Sequence, residues 1–132
     1  AESILAMTDR DLQRLQGVHP KLVSAVTNIL GLLPMFVVMG VRTVAEQQAL
    51  YAQGRTLPGP IVTFKDGVTH RSNHQPHPDG LGYAVDLAFV GTDPFNASHP
   101  WEQYGAAVEA AGLVWGCRWK MVDRPHAELP IT

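Results

Sequence analysis

Two short apolar segments, and the long polar stretch between them, limit the folds available to this chain. Residues 35–41 and 83–90 are apolar and contain valine, which predicts two buried strands. Residues 55–81 are rich in Gly, Pro, His, Asn and Asp. Such a stretch is too long for an ordinary connection, and loops of that length are usually functional or disordered. We therefore expect a loop there, with one short strand at residues 61–63.

Capping signals and apolar spacing predict four helices. Thr8 can cap the first helix, and Pro20 suits the first turn of the second. Thr43 and Glu46 form a capping box for the third. Helices are predicted at residues 8–17, 20–33, 43–53 and 100–111, and late strands at residues 113–119 and 127–131. Because helices and strands do not alternate as βαβ units, we predict an α+β fold with a small, mostly antiparallel sheet flanked by helices.

Size, charge and cysteine content exclude several classes of function. The chain has 132 residues, which predicts a single domain over residues 1–132. A formal net charge of -2 argues against a protein built to grip nucleic acid or anionic lipid. The single cysteine, Cys117, excludes an internal disulfide and argues against a thiolate zinc site. No secretion signal and no bilayer-spanning apolar stretch is visible, so we expect no membrane anchor.

Two histidines and one aspartate are candidate metal ligands: His74, Asp86 and His126. Imidazole and carboxylate suit zinc, and a catalytic zinc has three protein ligands and one open position. Asp86 lies within the predicted strand at residues 83–90, where an unpaired acid is costly to bury. From the residues alone, two interpretations of Asp86 are equally good: it is a metal ligand, or it is a structural acid paired with an arginine. A lone histidine such as His126 is also more often structural than a ligand.

Two further charged residues suit a hydrolytic site. Asp123 precedes His126 by three residues and could take a proton from water activated by the ion, then pass it to a leaving amine. The alternative for Asp123 is a surface turn with a local ion pair, worth little. Arg42 follows the first predicted strand and could stabilise an oxyanion or bind a substrate carboxylate. The alternative for Arg42 is that it is an ordinary surface arginine at the end of a strand.

The remaining histidines and tryptophans have simpler explanations. His70 and His74 have the spacing of a zincin helix, but the prolines and polar residues around them disfavour a helix there. His77 remains a rival to His74 as the ligand. Trp115 and Trp119 are predicted to fill the core, as tryptophans more often do.

Three ordered motifs carry a family resemblance. They are Ser-Asn-His at residues 72–74, Gly-Tyr-Ala-Val-Asp-Leu at residues 82–87 and Asp-Arg-Pro-His at residues 123–126. The set resembles the LAS-type zinc peptidases, which include D-Ala-D-Ala carboxypeptidases and dipeptidases and phage L-alanyl-D-glutamate endopeptidases. Residues 11–23, 40–51 and 112–116 are also similar to the compact phage enzymes. The resemblance implies a single domain with the hedgehog/D-Ala-D-Ala-peptidase-like fold.

The resemblance also assigns roles to individual residues. It implies zinc ligation by His74, Asp86 and His126, general-base catalysis by Asp123, stabilisation of the substrate carbonyl by Arg42, substrate orientation by Ser72, and orientation of a ligand by Glu128.

The implied function is zinc-dependent cleavage of the peptidoglycan stem peptide, at the L-alanyl-D-glutamate bond, by a phage or prophage endolysin in host lysis. Such an enzyme is expected to be a monomer, made in the host cytoplasm without a signal peptide and released to the wall through a holin lesion. The first alternative is a D,D-carboxypeptidase or D-Ala-D-Ala dipeptidase in wall remodelling. The second is a non-catalytic, zinc-stabilised wall-binding module, against which the spare acid Asp123 argues.

Three departures from the family pattern stand out. The first histidine and the aspartate are usually seven residues apart, whereas His74 and Asp86 are twelve apart, so residues 75–81 form a lengthened loop. Cys117 and Arg118 stand where Gly and Asp are more common, so the substrate contacts of the family are not carried over to Arg118. Ala127 replaces a common aromatic residue, and we expect a wider cleft as a result.

Overall fold

The computed structural model describes residues 7–130, which form an α+β fold around one small sheet. Its elements are α1 (Asp9–Arg14), α2 (Pro20–Leu32), β1 (Met35–Met39), α3 (Val44–Ala52), β2 (Ala84–Phe89), α4 (Trp101–Ala110), β3 (Val114–Trp115), a 3₁₀ turn (Gly116–Arg118) and β4 (His126–Glu128). The strand order is β1-β2-β4-β3, and every pair is antiparallel. The predicted fold class is therefore confirmed. No helix within residues 7–130 is long and apolar enough to cross a membrane.

The predicted capping residues start two of the helices. Thr8 and Asp11 bond reciprocally at the start of α1, as Thr43 and Glu46 do at the start of α3. Asp11 has a second role, because its Oδ1 accepts a 2.8 Å bond from the Val37 amide of β1. Helix α1 ends at Arg14, earlier than predicted, and the chain then turns through Gly17 at a φ of 79°.

The two faces of the sheet have different partners. Alternate residues of β2, namely Val85, Leu87 and Phe89, belong to the hydrophobic core together with residues of α2 and α4. Ala127 of β4 also lies in this core. Because side chains alternate along a strand, Asp86 of β2 points to the opposite face. That opposite face carries the functional site.

Three local predictions were wrong. Residues 61–63 form no strand, and the Thr63 carbonyl accepts a 3.0 Å bond from the Arg55 side chain. The predicted strand at residues 113–119 stops after two residues and continues as the 3₁₀ turn. The last strand covers only His126–Glu128, and residue 131 lies outside the described residues.

The connection from β1 to α3 brings Arg42 to the sheet's functional face. Strand β1 ends at Met39, so Arg42 lies in the connection and not at the strand end. The chain at Gly40 packs against the Arg14 carbonyl oxygen so closely that a Cβ atom would not fit. The Arg42 amide then donates a 2.9 Å bond to the His74 carbonyl, which ties the connection to the long loop.

Candidate functional site

Three distant parts of the sequence bring His74, Asp86 and His126 together, with one ligand-type atom from each lying within 4.8 Å of the others. Asp86 in β2 pairs directly with His126 in β4, so their side chains share one face of the sheet. The His126 Nδ1 atom lies 3.4 Å from Asp86 Oδ1, and the His74 Nε2 atom lies 3.4 Å from Asp86 Oδ2. The two imidazoles meet edge to face, with 5.0 Å between their centroids.

The far nitrogen of each imidazole is held by an acceptor. His74 Nδ1 donates to the Gly40 carbonyl at 2.9 Å, and His126 Nε2 donates to Glu128 Oε1 at 2.7 Å. In the neutral form, imidazole carries one N–H, and these bonds would then leave His74 Nε2 and His126 Nδ1 available to bind a metal beside Asp86. Metal-ligating histidines are typically oriented in this way.

Buried polar atoms without partners mark the centre of the cluster. Within residues 7–130 they include His74 Nε2, Asp86 Oδ1 and Arg42 Nε. Buried polar atoms normally have hydrogen-bond partners, so each exception needs an explanation. A divalent cation would satisfy both the imidazole nitrogen and the carboxylate oxygen. The three side chains therefore fit a zinc ion with three protein ligands and one open position.

The site attracts positive charge. Burial raises the pKa of Asp86, but the adjacent His74 and His126 rings outweigh burial and hold this pKa below its ordinary value. Burial lowers the pKa of His126, but the adjacent Asp86 and Glu128 carboxylates outweigh burial and raise this pKa to about 9. The carboxylates around His126 Nδ1 therefore stabilise a positive charge at the position where a metal would bind.

Asp123 and Arg42 flank the three candidate ligands. Asp123 Oδ2 lies 3.8 Å from His126 Nδ1, and its side chain is 45% exposed, open to the cleft. Burial, together with repulsion from Asp86, raises the pKa of Asp123 above its ordinary value. Arg42 is 11% exposed, and its guanidinium nitrogen lies 3.8 Å from Asp86 Oδ2. Burial lowers the pKa of Arg42, against the opposing effect of Asp86 and Asp123.

Gln47 is a site residue that the sequence analysis missed. It is fully buried in α3, where its Oε1 accepts a 2.8 Å bond from Arg42. Its Nε2 donates a 2.8 Å bond to the Lys65 carbonyl in the long loop. A polar residue one turn after the Thr43 cap, on the side of the helix nearest Arg42, is the signal that could have indicated it. Gln47 thus positions Arg42 against the loop.

The three ligand-type residues line an open cleft of about 690 Å³. Residues 61–65 of the long loop and residues 119–123 contribute apolar side chains to its lining. Ser72 also lines the cleft, and its hydroxyl accepts a 3.2 Å bond from the His74 amide. The prediction that Trp119 fills the core was wrong, because this ring is 38% exposed and its centroid lies 4.7 Å from that of His126.

Several residues considered from the sequence lie outside the cluster. The His77 ring stacks on Tyr83, and its Nε2 bonds to Asn73 Oδ1 at 3.1 Å. Arg118 pairs with Glu109 on the surface at 3.2 Å. The expectation that Ala127 widens the cleft was wrong, because Ala127 is 1% exposed and faces the core.

Comparisons with known proteins all find peptidases, although the activities named for them differ. The family model described as D-alanyl-D-alanine carboxypeptidase matches residues 66–129. The peptidoglycan L-alanyl-D-glutamate endopeptidase CwlK of Bacillus subtilis (strain 168) is 31% identical over 102 residues. That alignment covers 68% of this chain and 57% of CwlK, so the chain spans little more than half of that relative. The crystal structure of the Serratia marcescens L-Ala D-Glu endopeptidase ChiX has the same fold, with a TM-score of 0.60 and 29% identity over 94% of this chain and 89% of ChiX.

Proposed function

Because the chain belongs to the LAS-type (M15) peptidase family, we propose that it is a zinc-dependent endopeptidase of peptidoglycan. The observation that carries the proposal is the cluster of His74, Asp86 and His126, with unpartnered buried atoms that face an open cleft. The proposed bond is the L-alanyl-D-glutamate bond of the stem peptide. It is supported by the activities named for CwlK and ChiX.

In this proposal, His74, Asp86 and His126 hold zinc. A bound zinc ion would supply Lewis-acid chemistry, polarising a carbonyl oxygen and lowering the pKa of water. Glu128 orients the His126 ring through its 2.7 Å bond. Ser72 braces the His74 backbone and, from the cleft wall, helps to orient the substrate.

Asp123 acts as the general base and then as the general acid. It takes a proton from water as the water oxygen bonds to the scissile carbonyl carbon. When the carbon–nitrogen bond breaks, Asp123 gives that proton to the leaving nitrogen, which leaves a new carboxylate and a free amine. Asp123 suits both roles by position, because its side chain is open to the cleft beside His126 Nδ1 and a general base must lie within reach of the proton that it moves.

Arg42 stabilises the negative charge that develops on the carbonyl oxygen. Its side chain is mostly buried, held by Gln47, and retains an unpartnered Nε–H. A positioned donor in a partly dry site is worth far more than the same donor in water. Loss of one such donor typically lowers the rate by about a hundredfold or more.

The biological setting belongs to the same proposal. The motifs shared with compact phage enzymes support a phage or prophage endolysin that acts on the host wall during lysis. We propose that residues 1–132 act as one monomeric catalytic domain on the stem peptide, with holin-type release giving access to the wall from the cytoplasm.

A second activity is favoured by one observation. The matching family model is described as D-alanyl-D-alanine carboxypeptidase. In the alternative proposal, the protein is therefore a D,D-carboxypeptidase or D-Ala-D-Ala dipeptidase that uses the same site. The two activities differ in the bond that is cut, because the zinc ligands and the base are common to both.

Mass spectrometry of fragments released from defined peptidoglycan tests these proposals. New L-alanine C-termini and D-glutamate N-termini are expected, whereas free D-alanine or D-Ala-D-Ala would support the alternative. Asp123→Ala protein should keep its fold and bind zinc but lose nearly all hydrolysis. If this variant still digests peptidoglycan at the wild-type rate, the assigned base is wrong. A wild-type protein that binds zinc and wall fragments but releases nothing would indicate a non-catalytic binding module.

A further inference from the structure

The lengthened loop at residues 75–81 is tightly folded. The His77 amide donates to the Leu81 carbonyl at 2.8 Å, and the Tyr83 hydroxyl donates to Asp79 Oδ2 at 2.6 Å. The His77 ring stacks on the Tyr83 ring with 3.8 Å between centroids and 11° between planes. The loop therefore holds the His77 side chain in one place at the edge of the site.

A continuous chain of hydrogen bonds joins this loop to the candidate metal ligand. His77 Nε2 lies 3.1 Å from Asn73 Oδ1, and Asn73 Nδ2 donates to Glu128 Oε2 at 2.8 Å. The other oxygen, Glu128 Oε1, accepts from His126 Nε2 at 2.7 Å. All four side chains are at least partly buried, so these hydrogen bonds are protected from competition by water.

The direction of every bond follows from the chemistry of the groups. An ionised carboxylate only accepts, so the amide nitrogen of Asn73 must face Glu128 and its oxygen must face His77. His77 Nε2 must then carry the proton that it donates to that oxygen. His77 lies outside the cluster of ligand-type atoms, with its ring stacked on Tyr83, which argues against the interpretation of His77 as a zinc ligand.

From this geometry we propose that His77 is a positioning residue, which holds the candidate metal centre in place through Asn73 and Glu128. The backbone of Asn73 is fixed separately, because its carbonyl accepts the Tyr83 amide at 2.8 Å. Its side-chain amide donates to Glu128, and the bond from His77 to the amide oxygen holds that amide from its other side. The five residues by which this chain exceeds the usual spacing thus supply a support for His126.

The expected effect is modest, because His77 is two hydrogen bonds removed from the ligand. Loss of a group that contacts a metal ligand directly typically weakens metal binding by about 10- to 100-fold. For His77 we expect a loss of about three- to tenfold, below that range. The inference rests on the proposed zinc site, so zinc affinity is the appropriate measurement, independent of hydrolysis.

Two variants separate the hydrogen bond from the ring stack. His77→Phe keeps an aromatic ring against Tyr83 and removes the donor. His77→Gln removes the ring and keeps an amide donor at similar reach. The matched control is His99→Phe, because His99 also stacks on an aromatic ring, that of Phe89, and also bonds through Nε2, to the Asp93 carbonyl, but lies outside the site.

The experiment measures the zinc dissociation constant by competition with a chromophoric chelator, with melting temperatures of the zinc-free proteins as a check on folding. His77→Phe is expected to raise the dissociation constant by about three- to tenfold, while His77→Gln and His99→Phe stay within about twofold of wild type. In an Asn73→Ala background, adding His77→Phe should change the constant by less than about twofold, because the connection is already broken.

Three results would overturn the inference. They are wild-type zinc affinity in His77→Phe, failure of His77→Gln to retain affinity, and a full effect of His77→Phe in the Asn73→Ala background. A wild-type protein that takes up no zinc would overturn the proposed function as well. That outcome is distinct, because it appears before any variant is compared.

Discussion

Gly116 offers a test of how accurately the Asp123–His126 turn must be held. A Cβ atom at Gly116 would lie 2.5 Å from the Asp123 carbonyl oxygen and 2.9 Å from His126 Cβ. Normal contacts between such atoms are about 3.5 Å, so the turn must move by roughly 0.5 to 1 Å to accept Gly116→Ala. The Asp123 amide also donates to the Gly116 carbonyl at 3.0 Å, so the two segments cannot separate freely.

Two effects of Gly116→Ala are expected. Overpacking of this kind typically costs about 1–3 kcal/mol of stability. A displacement of about 1 Å in catalytic groups can lower the rate by about a hundredfold. Because the proposed base and one proposed zinc ligand both lie on the displaced turn, kcat/KM should fall further than the loss of folded protein explains.

The assay is peptidoglycan hydrolysis at a temperature well below the melting transition, with urea unfolding measured in parallel. Gly31→Ala is the matched control, because it makes the same chemical change in α2 where a Cβ meets no atom within 4 Å. It should stabilise the protein by up to about 1 kcal/mol and leave activity unchanged. If Gly116→Ala keeps kcat/KM within about twofold of wild type, the close contact does not position the site and the reasoning fails.

Three further predictions address the supports of the site and its metal. Gln47→Leu leaves the Arg42 guanidinium without its 2.8 Å partner and should lower kcat more than it raises KM; an unchanged kcat in steady-state assays would show that Arg42 needs no such support. Tyr104→Phe removes a buried 2.7 Å bond to the Pro125 carbonyl and should cost about 0.5–1.5 kcal/mol in urea unfolding. The cost should not exceed this, since the Leu87 amide still bonds that carbonyl, and a larger loss would mean that the hydroxyl has another role. Removal of metal by a chelator should abolish hydrolysis and lower the melting temperature, and added zinc should restore both. At a zinc concentration 100 times the dissociation constant, zinc binding should stabilise the folded protein by about 2.7 kcal/mol. Unaltered hydrolysis after verified removal of metal would exclude a metal-dependent reaction.

Local signals were sufficient for the starts of the helices. Thr8 and Thr43 cap α1 and α3 as predicted, because a capping box is made by residues three apart and needs no distant partner. The predictions for residues 61–63 and for Trp119 failed for the opposite reason. The Arg55 side chain bonds the Thr63 carbonyl in the segment at residues 61–63, and the early end of β3 leaves Trp119 on the cleft wall. No local pattern encodes either contact.

The sequence by itself determined which kinds of ligand and base the chain can offer, and it placed Asp86 and His126 in or beside strands. It left His74 and His77 as rivals, because a flexible stretch of twelve residues lets either imidazole approach Asp86. Only the tertiary structure decided that His74 lies beside Asp86 while His77 lies outside, stacked on Tyr83. The physical reason is that pairing of β2 with β4 sets Asp86 opposite His126, and the bond from His74 to the Gly40 carbonyl then directs the other nitrogen of His74 to the same point.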